Sequence, residues 1–216
     1  MKETKIMENK TRGKFIVVEG GEGSGKGTCI ENLKLHLPGD RVYFTREPGG
    51  TPFAEDTRKV LLAKRGYLID PKAELLLAYG ARIDHLGQVV IPKTKSGIHV
   101  ISDRFYHSSD AYQIYGPERF DLVPLSDFLK REVVTLKPDL CIFLDLDTEK
   151  ALERMRARGQ ELDHFESKDI EYHKRVRQGY LKSVEEGHHQ ILHIDDMSKD
   201  EVVALVLKTV KDFLEL

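Results

Sequence analysis

The chain has 216 residues, 40% of them hydrophobic and 32% charged, which suits one substantial core and a single soluble domain. A formal net charge of −2 excludes the general basic field that gathers nucleic acid. The two cysteines, Cys29 and Cys141, lack CxxC spacing and a neighbouring His pair; they read as small buried hydrophobes in a reducing cytoplasm.

Residues 1–13 are polar and lysine-rich with no apolar stretch, so they read as a loose tail rather than a secretory signal. No run approaches the 18 apolar residues of a membrane span. A single domain is expected over 14–216, located in the cytoplasm, with neither membrane nor nucleic acid as partner. Short apolar runs at Phe15–Val18, Arg41–Thr45, Ile98–Ser102, Leu140–Asp145 and Gln190–Ile194 predict strands covered on both faces. Helical periods predict helices over Lys26–Leu37, which stops at Pro38-Gly39, and over Pro71–Val90, with Asp70 as N-cap. Further helices fit Asp121–Val134, Thr148–Arg158, Ser167–Glu186 and Ser198–Leu214. Such alternation specifies an α/β fold: three α/β/α layers around five parallel strands.

The strongest chemical signal is Gly20-Gly21-Glu22-Gly23-Ser24-Gly25-Lys26-Gly27-Thr28, placed between the first strand and the first helix. Glycines let successive N–H groups turn inward onto phosphate oxygens, and the helix adds its positive end. Lys26 supplies a full charge to the β- and γ-phosphates. These nine residues are the expected ATP-binding loop. The hydroxyl falls at Thr28, one place later than in GxxxxGK[ST], because position 27 is glycine. Glu19 and Glu22 flank the loop, each suited to a water on Mg²⁺, to a sugar hydroxyl, or to solvent alone.

Two clusters follow strand ends, where α/β sheets bind ligands: Arg46-Glu47-Pro48-Gly49-Gly50-Thr51-Pro52 and Asp103-Arg104-Phe105. Arg58 lies on a helix begun after Thr51, and Ser108-Ser109-Asp110-Ala111-Tyr112-Gln113 extends the second cluster. From the glycine loop through REPGGTP, AEDTR, ISDRF, SSDAYQ, PDLCIFLDLD, RARG, LDHFE and RVRQGYL, the chain resembles the thymidylate kinases in order and spacing. The resemblance covers nearly everything after residue 13. It implies a P-loop kinase that transfers the γ-phosphate of ATP to dTMP with Mg²⁺ and assembles as a homodimer.

The same resemblance implies roles. Arg58 and Arg104 hold the dTMP phosphate, Arg104 next to the transferred group, and Glu47 orders the acceptor phosphate or the Mg²⁺ water network. Arg82 hydrogen-bonds thymine; Ser109 and Gln113 complete the base pocket; Tyr112 excludes a ribose 2′-hydroxyl. Glu22 and Asp103 are the metal-side carboxylates, directly or through water. The chemistry agrees: a phosphoryl group in flight spreads negative charge, and the arginine fork matches its oxygens.

Two departures stand out. Ala78 occupies the position of the family's base-stacking Phe, four residues before Arg82, which leaves Tyr79 and Phe53 as candidate rings. A lid is expected over about 154–167, hinged at Gly159, where Arg154 and Arg158 share a helix face toward the ATP phosphates. In its Leu162-Asp163-His164-Phe165-Glu166, His164 replaces an arginine. The expected catalytic set is therefore Lys26, Arg104, Arg158, Arg154 and Glu22. The nine histidines suggest no metal site, and His188-His189 reads as a solvent-facing turn. The alternatives are a kinase of another nucleoside monophosphate, suggested by Ala78, or a nucleotide switch, for which no NKxD-type guanine motif is present.

Overall fold

The computed structural model describes residues 12–159, 161–183 and 189–216. Five strands form one parallel sheet: β1 (Phe15–Gly20), β2 (Val42–Arg46), β3 (His99–Asp103), β4 (Leu140–Asp145) and β5 (His189–His193). Their spatial order is β2-β3-β1-β4-β5, so β1 is central and the chain reverses direction of travel beside it. This is the α/β architecture expected from the alternation of strands and helices.

β1 and β4 are buried along their whole lengths, their apolar runs ending in the buried carboxylates Glu19 and Asp145. One face, with Ile16, Val18, Ile142 and Leu144, packs under α1 (Lys26–His36) and the C-terminal helix. The other, with Phe15, Val17, Val100 and Cys141, packs under α3 (Pro71–His85). The helix starts follow local chemistry. Thr51 accepts a hydrogen bond from the Ala54 amide, and Pro52 opens α2 (Pro52–Leu62). Asp70 caps α3 at the Lys72 amide, 2.7 Å away.

α3 runs on through a wide turn at Leu86–Val90 into α4 (Ile91–Lys95), extending the predicted helix past Val90. A helical segment of α5 (Tyr106–Asp110) and the turn Ala111–Tyr115 was not expected. Its buried residues mix Ser109, Asp110 and Gln113 with Ala111, Tyr112 and Ile114, which breaks the apolar period. After it come α6 (Val123–Val133), α7 (Thr148–Arg158), α8 (Ile170–Ser183) and α9 (Lys199–Leu214). Gly159 ends α7 at φ 64°, a left-handed position that favours glycine. The predicted continuation of α8 to Glu186 and residues 1–11 of the predicted tail lie outside the described residues. β2 ends one residue later than expected, which places Arg46 at the strand end. The carboxyl ends of β1, β2 and β3 thus converge, each leading directly into a segment of the site.

Candidate active site

At the end of β1 the glycine loop curls before α1, with Gly23 at φ 73° and Gly25 at φ 87°. A Cβ on Gly23 would meet the Ala151 carbonyl at 2.3 Å, so glycine is required by space as well as by backbone conformation. Ser24 Oγ donates to the Gly21 carbonyl at 2.8 Å and closes the loop. Lys26 Nζ lies over it, donating to the same carbonyl at 3.3 Å. Burial and the neighbouring Arg104 charge push the Lys26 ammonium down, while Glu22, Asp103 and Glu19 oppose them.

Arg104 is the centre of the site. It leaves β3 at φ 72°, a left-handed conformation uncommon for a residue other than glycine, and its amide donates to Val18 O at 2.9 Å. Its guanidinium donates to Tyr180 OH at 2.6 Å, to Gly20 O at 3.1 Å, to Ser108 Oγ at 3.2 Å and to Glu22 Oε1 at 2.5 Å. Burial raises the Glu22 carboxyl, but Arg104 and Lys26 outweigh it and hold it at about 2. Tyr112 OH also donates to Glu22, at 2.9 Å. Glu19 is fully buried rather than solvated, accepting from the Phe105 amide and from Ser108 Oγ, each at 2.7 Å. It anchors the segment on which Arg104 sits. Neither this anchor nor the Tyr180 contact was foreseen; the RVRQGYL match was the one signal for Tyr180.

Lys26, Arg58, Arg104 and Asp103 line one cavity of about 290 Å³, together with Glu22, Glu47, Arg82, Ser109, Tyr112 and Gln113. Arg58 donates to the Pro48 carbonyl at 3.2 Å; burial and the nearby Arg46 and Arg104 charges push its guanidinium down. An anion among these cations would relieve that repulsion. Asp103 keeps one buried carboxylate oxygen with no hydrogen-bond partner among the described residues.

The far end of the cavity is rigid. Glu47, beyond β2, receives Arg82 Nε at 2.7 Å and lies 2.9 Å from His85 Nδ1, whose Nε2 lies 2.7 Å from Thr45 Oγ1. Arg82 also donates to Ser109 Oγ at 3.0 Å, and its Nη1 has no partner among the described residues. Gln113 donates to Glu74 at 3.3 Å. The apolar lining comes from Leu61, Leu62, Ala78, Phe105 and Phe165. Tyr79 is buried beneath the Arg82 guanidinium at 4.4 Å, and Phe53 is 58% exposed at the start of α2; neither lines the cavity. The candidate rings are therefore wrong, and Phe165 from the lid faces this space instead.

The structure separates the two lid arginines. Arg158 donates to Glu166 Oε1 at 2.5 Å and lines both the cavity and the outer cleft of about 590 Å³ along Gly23–Cys29 and α9, whereas Arg154 lines the outer cleft alone. His164 Nε2 lies 3.2 Å from Glu74, so the residue standing in for an arginine still ties the lid to α3. Thr28 borders the outer cleft. His189 opens β5 half-buried against His107 rather than facing solvent; His188 lies outside the described residues.

The thymidylate kinase family model matches residues 18–206. A thymidylate kinase from Carboxydothermus hydrogenoformans is 39% identical over 94% of this chain and 98% of its own length. One from Hahella chejuensis is 40% identical over 90% of this chain and 94% of its own. The crystal structure of thymidylate kinase from Ehrlichia chaffeensis superposes with a TM-score of 0.71 at 29% identity, covering 94% of this chain and 99% of that one. With its glycine loop, its arginine-lined cavity and these relatives in agreement, the chain belongs to the thymidylate kinase family.

Proposed function

We infer that this kinase moves the γ-phosphate of ATP onto dTMP within the 290 Å³ cavity, with Arg104 between donor and acceptor. The observation that carries this reading is the gathering of Lys26, Arg58 and Arg104 around one space bordered by the phosphate loop. Two polyanions repel, and these cations let them approach. The loop Gly20–Thr28 cradles the ATP phosphates and Lys26 neutralises them. Arg58 grips the dTMP phosphate, while Arg104 spans the group in transit. Arg158 and Arg154 close from the lid, Arg158 over the reacting phosphates and Arg154 along the outer phosphates. Water is thereby kept from competing with dTMP. The acceptor needs no general base, because its phosphate is already largely ionised near pH 7.

At the base end, Arg82 offers its unpaired Nη1 to a thymine carbonyl, held in place by Glu47 and Ser109. Gln113 and Tyr112 line the same cavity, Gln113 to complete the pocket edge and Tyr112 to exclude a ribose 2′-hydroxyl. A second reading, turnover of another nucleoside monophosphate, is favoured by Ala78, which leaves no ring over the base from α3.

The donor set fits Mg²⁺. Asp103 presents an oxygen without a hydrogen-bond partner among the described residues, and Glu22, ionised, lines the same cavity. Both are hard oxygen donors of the kind Mg²⁺ takes singly while keeping its waters. Bound there, the ion would neutralise phosphate charge.

A homodimer accounts for the exposed apolar residues Leu76, Leu77 and Ile83 of α3 and Phe128 of α6. No helix among the described residues is long and apolar enough to cross a membrane, and the cytoplasm supplies both nucleotides. Conversion of dTMP to dTDP, followed by phosphorus NMR with Mg·ATP and abolished by EDTA, tests the reading. Unchanged dTMP in active conditions for ATP binding would overturn it.

A further inference from the structure

On the side of the sheet away from the phosphate loop's helix, three residues from distant parts of the chain converge. His107 lies on α5, Cys141 on β4, and His189 opens β5 directly opposite Cys141 in the strand register. Each offers a ligand atom, and these atoms all lie within 4.8 Å of one another. The two imidazoles meet edge to face with centroids 5.0 Å apart, and Cys141 Sγ lies 3.9 Å from His107 Nδ1.

A second observation points to an occupant. His107 is fully buried, yet its Nε2 has no hydrogen-bond partner among the described residues. Its Nδ1, the nitrogen nearer Cys141, lies 3.6 Å from Glu19 Oε1, so a carboxylate is at hand to hold the Nδ1 proton and leave Nε2 to ligate. Burying an imidazole nitrogen with nothing to bond is costly, and a metal ion would satisfy it.

We propose that His107, Cys141 and His189 form a binding site for a thiol-seeking divalent ion, with Zn²⁺ the best chemical match. Two imidazoles and a thiolate suit Zn²⁺, which takes nitrogen at about 2.0 Å and sulfur at about 2.3 Å in tetrahedral array. They do not suit Mg²⁺, which prefers oxygen. Those bond lengths set ligand atoms roughly 3.5 Å apart, so the cluster contracts by about 1 Å through side-chain rotation. As the metal–sulfur bond forms, the fully buried Cys141 thiol gives its proton to a water that the hydrated ion carries in. A water completes the coordination. The ion would staple β5 to α5, and through Glu19 to the backbone amide of Phe105, next to Arg104.

The test is a Co²⁺ titration of the full-length, metal-stripped chain in excess Mg²⁺, which occupies the oxygen donors. A thiolate-to-cobalt charge-transfer band that saturates at a single equivalent and is displaced by Zn²⁺ is expected. Cys141→Ser should abolish the band, and His189→Ala, at a half-buried strand end, should weaken Co²⁺ binding about tenfold or more. No saturable binding, binding without the band, or a band that survives Cys141→Ser because Cys29 supplies it would each overturn the site. If Cys141→Ser does not fold, unchanged Co²⁺ affinity in His189→Ala overturns it equally.

Discussion

The two ends of the cavity are built on opposite principles. At the phosphate end, Lys26, Arg58 and Arg104 line one space, and the repulsion among them persists although Glu22, Asp103, Glu19 and Glu55 oppose it. At the base end, Thr45, His85, Glu47, Arg82 and Ser109 are joined in one continuous chain of hydrogen bonds, which leaves Arg82 Nη1 without a partner among the described residues. The first end stores repulsion that a polyanion relieves; the second stores shape that a planar ring must match. Chemistry therefore depends on cations crowded beyond what their partners relieve, and selection depends on charges paired in a fixed arrangement.

The contrast breaks first at Arg104. Arg104→Ala should lower kcat by about 10³-fold, measured by ADP release, because this guanidinium faces charge that grows in the transition state. Stability should change much less than kcat. At the base end the order reverses. Glu47→Ala leaves buried Arg82 without its partner and should cost about 3 kcal/mol or more in denaturant unfolding. A catalytic loss there with no loss of stability would show that the base end is not the rigid element described.

Ala78→Phe sharpens the comparison. An added ring over the base should strengthen dTMP binding by about 1–3 kcal/mol, read as a lower KM with kcat little changed. A rise in KM would mean that Phe165 already fills that space. The smallest effect concerns acid. Glu22 has its carboxyl at about 2 in the fold against an ordinary value of 4.5. A lowered value contributes stability that is fully present above pH 4.5 and lost as pH falls toward 2. Glu22→Gln should flatten the acid limb of a stability-against-pH curve within that window and leave the neutral region unaffected by pH.

The same contrast decides what the sequence made legible. The phosphate end is spelt in contiguous runs at strand ends, because glycine loops and strand-to-loop turns keep their residues together in the chain. Gly20–Thr28 and Asp103-Arg104 were readable for that reason. The base end draws on α2, α3, α5 and the lid, so no local pattern shows which apolar residue meets the ring. Leu61, Leu62 and Phe165 were missed, and Tyr79 and Phe53 were misplaced, since helix rotation decides which of two neighbours faces a cavity. The segment Tyr106–Tyr115 escaped because Ser109, Asp110 and Gln113 are buried among its apolar residues and blur the helical period. The approach of His107, Cys141 and His189 depends on strand register, which the chain order of two histidines and a cysteine does not reveal.

The central claim is that one cavity joins a cation-crowded phosphate end to a thymine-shaped base end. The most direct test compares kcat/KM for dTMP, dUMP, dGMP, dCMP and AMP with Mg·ATP and purified protein. The account predicts dTMP well above all the others despite Ala78. Preferred turnover of a different monophosphate would contradict it at the base end, and no turnover of any would contradict it at the phosphate end.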